Sequence, residues 1–282
     1  MKISTEVKNA IKKQHKDSYE EKTQHGYVHR QQVKCEGYNK KLTNMWLSNP
    51  SMISHTEGYI AAIQEQEIYT RALKAKREHS EDHSYNKMCR FCNEKTEDIF
   101  HLLCSCNVLS ASMYLPLRHD EVAREAYNTI IKHHFPDQRF TLPQPVWKRG
   151  HLEIWWDTHI STTPRVKHNR PDMVIWNTRN MTCKVVDICV PLDLNVSTQE
   201  KSKRDIYGPL AVGLLRHYPQ FKFEIVPLVI GATGLVTNSL TTNLKTLIEQ
   251  DNKVELAIAK MQRKALVGSM RVLKSALSMK SI

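Results

Sequence analysis

The feature that most limits the fold of this chain is a cluster of four cysteines and one histidine within eighteen residues, CRFCNEKTEDIFHLLCSC. Cys89 and Cys92 form a CxxC pair, and His101 and Cys106 follow with four residues between them. Four ligands of these types complete a tetrahedral zinc site without an open position, which is typical of structural rather than catalytic zinc. The sequence therefore predicts that these four residues hold one structural Zn²⁺.

Two alternatives stay open at this cluster. Cys104 could replace Cys106 as the fourth ligand, or be a free neighbour. A redox CxxC motif, or a few core cysteines, is the competing interpretation. A thioredoxin-type CxxC opens a helix after a strand, however, and has no His and Cys pair a few residues downstream. The spacing favours zinc.

The charge of the chain indicates a polyanionic partner. Lys and Arg number 41 against 29 Asp and Glu, which gives a formal net charge of +12 over 282 residues. A chain this basic usually binds a polyanion, and nucleic acid is favoured over an anionic membrane surface. The seven cysteines are odd in number and partly clustered, as expected for metal ligands in a reducing compartment. A nuclear location is expected, and a cytoplasmic one stays open.

The sequence predicts neither secretion nor a membrane span. The first residues, MKISTEVKNAIKKQHK, alternate charge with single apolar residues and lack the apolar run of a signal peptide. The longest apolar stretches, around GPLAVGLL and IVPLVIGATGLV, are too short or are interrupted by Pro and Gly. No membrane partner is expected.

Apolar periodicity divides the chain into three predicted segments. They are a basic helical lead-in over 1–85, a zinc module with a following helix over 86–140, and an α/β domain over 141–282. In the second segment Val122, Ala126 and Ile130 make one face of the helix. The prolines of TLPQPVW mark the linker before the third segment.

The third segment is predicted to contain a mixed sheet. Short apolar runs rich in β-branched residues predict four strands, at LEIWW, PDMVIW, CKVVDICVP and FKFEIVPLVIG. Between the last two lies STQEKSKRDIYGPLAVGLLRHY, which has the pattern of a helix. The basic C-terminal stretch VELAIAKMQRKALVGSMRVLKSALSMK is also predicted as a helix. It either packs into the core or contacts nucleic acid, and both interpretations stay open.

Two aspartates lie on neighbouring predicted strands. Asp172 begins one strand and Asp187 lies inside the next, and the turn-like NTRNMT joins the two. In a hairpin their carboxylates come together at one end of the sheet, where they can share a Mg²⁺ or Mn²⁺ ion. Such an ion polarises a phosphate and generates hydroxide at neutral pH. With a nearby lysine this is the PD-(D/E)xK nuclease design.

The order of these motifs resembles the C-terminal region of non-LTR retrotransposons that carry a restriction-like endonuclease. The motifs are the CCHC cluster, RHD, HNRPD, VVDICVP, EKSKRDIYGPL and IVPLVIGATG, and the resemblance runs from about residue 40 to the C-terminus. It implies a restriction-endonuclease-like core in the third segment. It also implies that the zinc module and basic residues bind nucleic acid, while the endonuclease nicks target DNA so that the 3′ end primes reverse transcription.

The resemblance also implies roles for individual residues. Asp172 and Asp187 look like the catalytic acids, and Lys203 looks like the catalytic lysine, displaced onto the following helix. Lys201 is the alternative, since the usual lysine position holds Cys189. Contacts with nucleic acid are predicted for Arg118 and His119 of RHD and, because of the net positive charge, for Arg165, Lys167 and Arg170 of RVKHNR.

Three functions remain open at this point. The first is a metal-dependent DNA endonuclease, with element RNA and a reverse transcriptase acting in trans as further partners. This chain has no Asp-Asp pair of the kind the family's polymerase uses. The second is a catalytically inert, zinc-containing nucleic-acid-binding module. The third is a zinc-stabilised interaction protein that binds no polyanion at moderate salt.

Overall fold

The structure is a computed structural model that describes residues 4–20, 22, 24–48, 52–78, 84–137 and 142–279. It has an α/β architecture in which helices cover both faces of a five-stranded mixed sheet. Among the described residues, no helix combines the length and apolar content needed to cross a bilayer. The three-segment division stays a prediction, and its boundary at 140–141 lies outside the described residues.

The helices lie before, between and after the strands. Before the sheet come α1 (Thr5–Glu20), α2 (Tyr27–Lys34), α3 (Lys40–Thr43), α4 (Ser54–Gln64), α5 (Arg71–Glu78), α6 (Asn107–Leu109) and α7 (Asp120–His134). Two π-helical stretches, His101–Ser105 and Ser110–His119, flank α6. Single 3₁₀ turns occur at Met45–Ser48 and Asp193–Asn195. Within and after the sheet come α8 (Val196–His217), α9 (Asn238–Leu247) and α10 (Asp251–Ser278).

The sheet combines an antiparallel meander with one parallel strand. Its strands are β1 (Val146–Arg149), β2 (Leu152–Trp156), β3 (Met173–Asn177), β4 (Thr182–Cys189) and β5 (Lys222–Val229), and they are adjacent in chain order. The first four strands pair antiparallel, and β5 pairs parallel with β4. Parallel pairing needs a crossover connection, which α8 supplies. The mixed sheet predicted from the apolar runs is confirmed.

The two faces of the sheet contact different helices. Val174, Trp176 and Val185 share a cluster with α8, whereas Val186 and Ile188 share the larger core with α7, α9 and α10. Because side chains alternate along a strand, Asp187 projects from the face that α8 covers. The sheet is therefore the middle of three layers.

One prediction about secondary structure needs correction. Strand β1 begins at Val146, within the stretch predicted to be a linker. It is a short edge strand with mostly exposed side chains, so its composition carries no strand pattern. The helices α4 and α5 of the predicted helical lead-in are separated by a turn, in which Gln66 has a φ of 59°.

The C-terminal helix α10 is a core element. Its buried residues include Ile258, Met261 and Leu273. Two of its lysines pair with acids of α7, at 2.7 Å for Lys264 to Glu121 and at 3.8 Å for Lys260 to Glu125. Of the two interpretations of this helix, core packing is the one that these contacts support.

Buried hydrogen bonds join the N-terminal segment to the turn after β5. The fully buried Gln262 of α10 donates to the carbonyl oxygens of Leu42, Thr43 and Gly234 at 2.7–3.0 Å. The Thr43 hydroxyl and the Val236 backbone bond each other in both directions. These hydrogen bonds hold the backbone of residues 42–43 against the backbone of residues 234–236.

A second buried group, Asp193, serves the same connection. Its carboxylate accepts hydrogen bonds from the Thr233 amide and hydroxyl, the Leu235 amide and the Gln32 side chain, at 2.6–3.3 Å. Gly231 lies directly against it, and a Cβ atom there would come within 2.2 Å of Asp193 Oδ1. The turn 231–235 is therefore closely fitted to this carboxylate.

We expect Gly231→Ala to lower the free energy of unfolding by about 1–3 kcal/mol, because the added methyl group overpacks a rigid, fully bonded carboxylate. Gly58→Ala is the matched control, since nothing lies within 4 Å of a Cβ at that exposed helical position. It should be neutral or slightly stabilising. Urea unfolding followed by circular dichroism measures both. Wild-type stability of Gly231→Ala would contradict the close fit.

Candidate metal centre and catalytic site

The CxxC pair lies on a short hairpin that presents sulfur atoms inward. The Cys89 amide donates to the Lys95 carbonyl at 2.8 Å, and Met88 pairs with Thr96 as an isolated bridge. Asn93 takes a left-handed conformation, with a φ of 52°, to close the turn. Asn tolerates this region better than most residues.

The four predicted zinc ligands come together. One ligand atom from each of Cys89, Cys92, His101 and Cys106 lies within 4.8 Å of the others. Cys89 Sγ is 3.9 Å from Cys106 Sγ, and Cys92 Sγ is 3.3 Å from His101 Nε2. Tetrahedral ligands about 2.3 Å from a zinc ion lie roughly 3.8 Å apart. The cluster could therefore hold a metal ion such as zinc.

The surroundings of the cluster also suit a metal ion. Backbone amides of Phe91 and Glu94 approach the Cys89 and Cys92 sulfur atoms at 3.5 Å, as donors to a thiolate would. Burial raises the pKa of the Cys106 thiol to about 11, so a metal ion that binds there must displace its proton. Burial also lowers the pKa of His101, which keeps the imidazole neutral as a metal ligand requires.

Cys104 lies outside this group of four. Its sulfur atom is 3.6 Å from a guanidinium nitrogen of Arg118, and burial raises the pKa of its thiol. Of the two candidates for the fourth ligand, Cys106 is the one next to the other three.

A buried carboxylate that the sequence analysis missed ties the hairpin to α5. Glu97 is fully buried, and its carboxylate accepts hydrogen bonds from the Arg90 backbone, Nε and guanidinium at 2.8–3.0 Å. It also accepts from the Arg71 amide at 3.2 Å. Burial opposes its ionisation, but these donors outweigh it and lower the pKa of Glu97. In the sequence, the one sign of this contact is that Arg90 and Glu97 carry opposite charges seven residues apart.

Asp172 and Asp187 meet at one end of the sheet. The register of β3 and β4 pairs Met173 with Val186, and its continuation by one residue sets Asp172 opposite Asp187. Opposite residues of an antiparallel pair project from the same face. Asp172 Oδ2 accepts a hydrogen bond from the Ile188 amide at 2.6 Å. The two carboxylates thus belong to one site.

Of the two candidate lysines, Lys203 reaches this site. Its Nζ lies 2.8 Å from Asp187 Oδ2, so the two side chains form an ion pair. Lys201 lies on the exposed side of α8, 3.8 Å from Glu36. Residues two apart on a helix point about 200° away from each other, so only one of them can face the sheet.

Burial controls the charges at this site. Asp187 is 4% exposed, and burial together with the charge of Asp172 raises its pKa, with Lys203 opposing the shift. Burial disfavours the Lys203 ammonium, but the carboxylate of Asp187 outweighs it and raises the pKa of Lys203. Burial also raises the pKa of Cys189 to about 11, so this thiol is neutral. Lys203 is therefore the positively charged side chain that α8 contributes to this site.

Tyr207 is a further residue of this site that the sequence analysis did not single out. It follows Lys203 by one helical turn, and its hydroxyl donates to the Arg170 carbonyl at 3.3 Å. Burial and the charge of Asp187 raise its pKa. Its spacing of four residues from Lys203 places both on one face of a helix, which could have indicated Tyr207 from the sequence.

His119 also contacts the carboxylates. Its Nε2 lies 3.2 Å from the Ile188 carbonyl and 3.6 Å from Asp172 Oδ2, and its Nδ1 lies 3.0 Å from Asp120 Oδ1. All three neighbours are acceptors, so the doubly protonated imidazolium fits best. Burial lowers the pKa of His119, but the two carboxylates outweigh it and raise the pKa to about 9.

We expect Asp172→Asn to lower the His119 pKa by roughly 1–3 units, because burial then acts against a single remaining carboxylate. An NMR titration of the imidazole in protein without added Mg²⁺ measures the shift. Asp157→Asn is the control, since the Asp157 side chain pairs with Arg170 instead. An unchanged pKa in Asp172→Asn would contradict the pairing.

Arg118 differs from the role that the sequence analysis gave it. It is 3% exposed, and its guanidinium donates to the Leu103 carbonyl at 2.9 Å and the Ser269 hydroxyl at 3.3 Å. An open surface contact with a phosphate is therefore not supported at this residue. The burial of Arg118 could not be predicted from local spacing, because its partner Ser269 is 151 residues away in the chain.

The remaining predicted nucleic-acid contacts lie on the loop that leads to Asp172. Arg165 and Lys167 are exposed and form no ion pair with any described residue. Arg170 is exposed too, but it pairs with Asp157 at 2.6 Å. Two cations of this loop are thus available to an anionic partner.

Residues from three parts of the chain therefore meet in two neighbouring sites, a Cys/His cluster and a carboxylate pair with one lysine. The sequence matches no protein-family model, and no curated protein matches it.

Proposed function

We propose that this chain is a divalent-metal-dependent DNA endonuclease of the PD-(D/E)xK type, derived from a non-LTR retrotransposon protein. The observation that carries the proposal is the convergence of Asp172, Asp187 and Lys203 at one end of the sheet. The strand order agrees with a restriction-like core, since an antiparallel hairpin bears both acids and a helical crossover bears the lysine.

The donor set of the site suits a hard cation. Two carboxylates on adjacent strands offer the oxygen ligands that Mg²⁺ or Mn²⁺ prefers. When bound, such an ion polarises a phosphate and lowers the pKa of a bound water. Asp172 is oriented for this role by the Ile188 amide.

The protein side chains supply the remaining functions. The Lys203 ammonium stabilises the charge that builds up on the phosphate as water adds to phosphorus and a P–O bond breaks. Tyr207 holds the Arg170 backbone, two residues before Asp172, against α8. Arg165 and Lys167 attract the DNA backbone, and this attraction carries little sequence preference.

The Cys/His cluster has a structural role in this proposal. With zinc bound, it fixes the segment that carries His119 against Asp172 and Ile188. Element RNA and a reverse transcriptase in trans are the further partners that we propose. Cleavage of chromosomal DNA requires a nuclear location.

Nicking of supercoiled plasmid by the purified, zinc-loaded protein tests the function. We expect open-circular product with added Mg²⁺ or Mn²⁺ and none in EDTA. The burial of Asp187 and its pairing with Lys203 favour one second candidate, an inert module that only binds nucleic acid. Binding of DNA without any divalent-dependent nicking would establish that candidate instead.

A further inference from the structure

A groove of about 270 Å³ lies beside the carboxylates, between segments 104–119 and 189–199. We name it the Arg118 groove. Its lining includes His119, which lies against Asp172, and Cys189, which follows Asp187 by two residues on β4. The groove therefore adjoins the proposed catalytic site on the side of the Cys/His cluster.

The charge of the groove is one-sided. None of the described residues that line it is acidic, whereas Arg118 and His119 are both basic. Arg118 is almost fully buried, pairs with no described carboxylate, and has no hydrogen-bond partner at Nε. A buried cation without a counter-charge is costly. The groove is therefore complementary to an anion.

The size and the apolar part of the lining narrow the choice of anion. The volume lies just below the roughly 300–1,000 Å³ of pockets that enclose drug-sized ligands, so it suits a nucleotide-sized unit and not a duplex. Leu115, Pro191 and Leu192 provide apolar surface beside Arg118. A nucleotide matches this lining, because its phosphate is complementary to the basic part of the groove and its nucleoside to the apolar part.

We propose that the Arg118 groove binds one nucleotide of the DNA strand that the carboxylates act on, with its phosphate on the side of the groove that the buried Arg118 charge underlies. This inference rests on the proposed function. The strand then continues from the catalytic site toward the Cys/His cluster. Single-stranded DNA is sufficient for this contact, because only one backbone enters the groove.

Gln199→Glu tests the groove with little risk to folding. Gln199 lines the groove from the first turn of α8 and makes no described hydrogen bond, and an acid is favourable at a helix N-terminus. We expect the affinity for a fluorescein-labelled single-stranded oligonucleotide to fall roughly 5-fold, since a new carboxylate repels the phosphate. Fluorescence anisotropy of the full chain with zinc but no added Mg²⁺ measures it.

Gln220→Glu is the matched control. It makes the same charge change at an exposed position before β5, at the opposite end of the sheet, and should bind like wild type.

The groove proposal is overturned if Gln199→Glu and Gln220→Glu bind with equal affinity. That result leaves divalent-dependent nicking, and so the endonuclease, untouched. A 5-fold loss in Gln199→Glu alone, in a protein that never nicks plasmid, supports the groove and contradicts the endonuclease.

Discussion

Asp172→Ala should abolish divalent-dependent nicking of supercoiled plasmid, with a fall in rate of at least about 100-fold. Loss of even an outer-shell partner of a metal costs about 10–100-fold, and Asp172 is proposed as a direct ligand. DNA affinity should stay within about twofold of wild type, because the basic surface that provides phosphate attraction is unchanged. Gel analysis of plasmid topology and anisotropy measure the two quantities separately.

Two further variants make this result specific. Asp172→Asn keeps an acceptor for the Ile188 amide and removes only the charge, so equal inactivity would assign the effect to metal binding and not to local unfolding. Asp205→Ala removes an exposed acid of α8 close to Lys203 and should nick normally. If Asp172→Ala nicks as fast as wild type, the carboxylate site is not catalytic.

Cys89→Ser should remove the zinc that we expect at about one ion per wild-type chain, and should loosen residues 84–119. Structural zinc binds zinc-finger peptides with about 10–16 kcal/mol of apparent free energy at neutral pH, so most of the order of such a segment depends on the ion. Metal analysis by mass spectrometry gives the stoichiometry, and hydrogen exchange gives the local order.

The other cysteines provide the controls. Cys35→Ser lies far from the cluster and should keep one zinc ion per chain, since its thiol contacts Ser197. Cys104→Ser should keep zinc and Cys106→Ser should lose it. The reverse pattern would show that Cys104, and not Cys106, is the fourth ligand. Full zinc content in Cys89→Ser would contradict the assignment of the zinc site.

The predictable parts of this protein are those that depend on local spacing. Strands β2 to β5 and helices α7, α8 and α10 follow from apolar runs and helical periodicity, because burial on one face repeats along each element. The four clustered ligands are likewise set by distances of a few residues. Each of these features needed no knowledge of distant parts of the chain.

The missed features depend on contacts between distant residues. The burial of Arg118 depends on Ser269 of α10, and His119 reaches Asp172 from 53 residues earlier in the chain. The choice between Lys201 and Lys203 depends on which side of α8 meets the sheet. A single sequence does not contain these orientations, because loops and helix rotation decide them.

The hydrogen bonds of Gln262 and Asp193 limit where the chain can be shortened for laboratory work. A fragment that begins at the sheet would lose the Leu42 and Thr43 carbonyl oxygens and the Gln32 amide. Gln262 would then keep one of its three acceptors, and Asp193 would lose one of its donors. Both groups would also lose side chains that now cover them. A shortened fragment should therefore start ahead of α2 (Tyr27–Lys34), so that these partners stay in place.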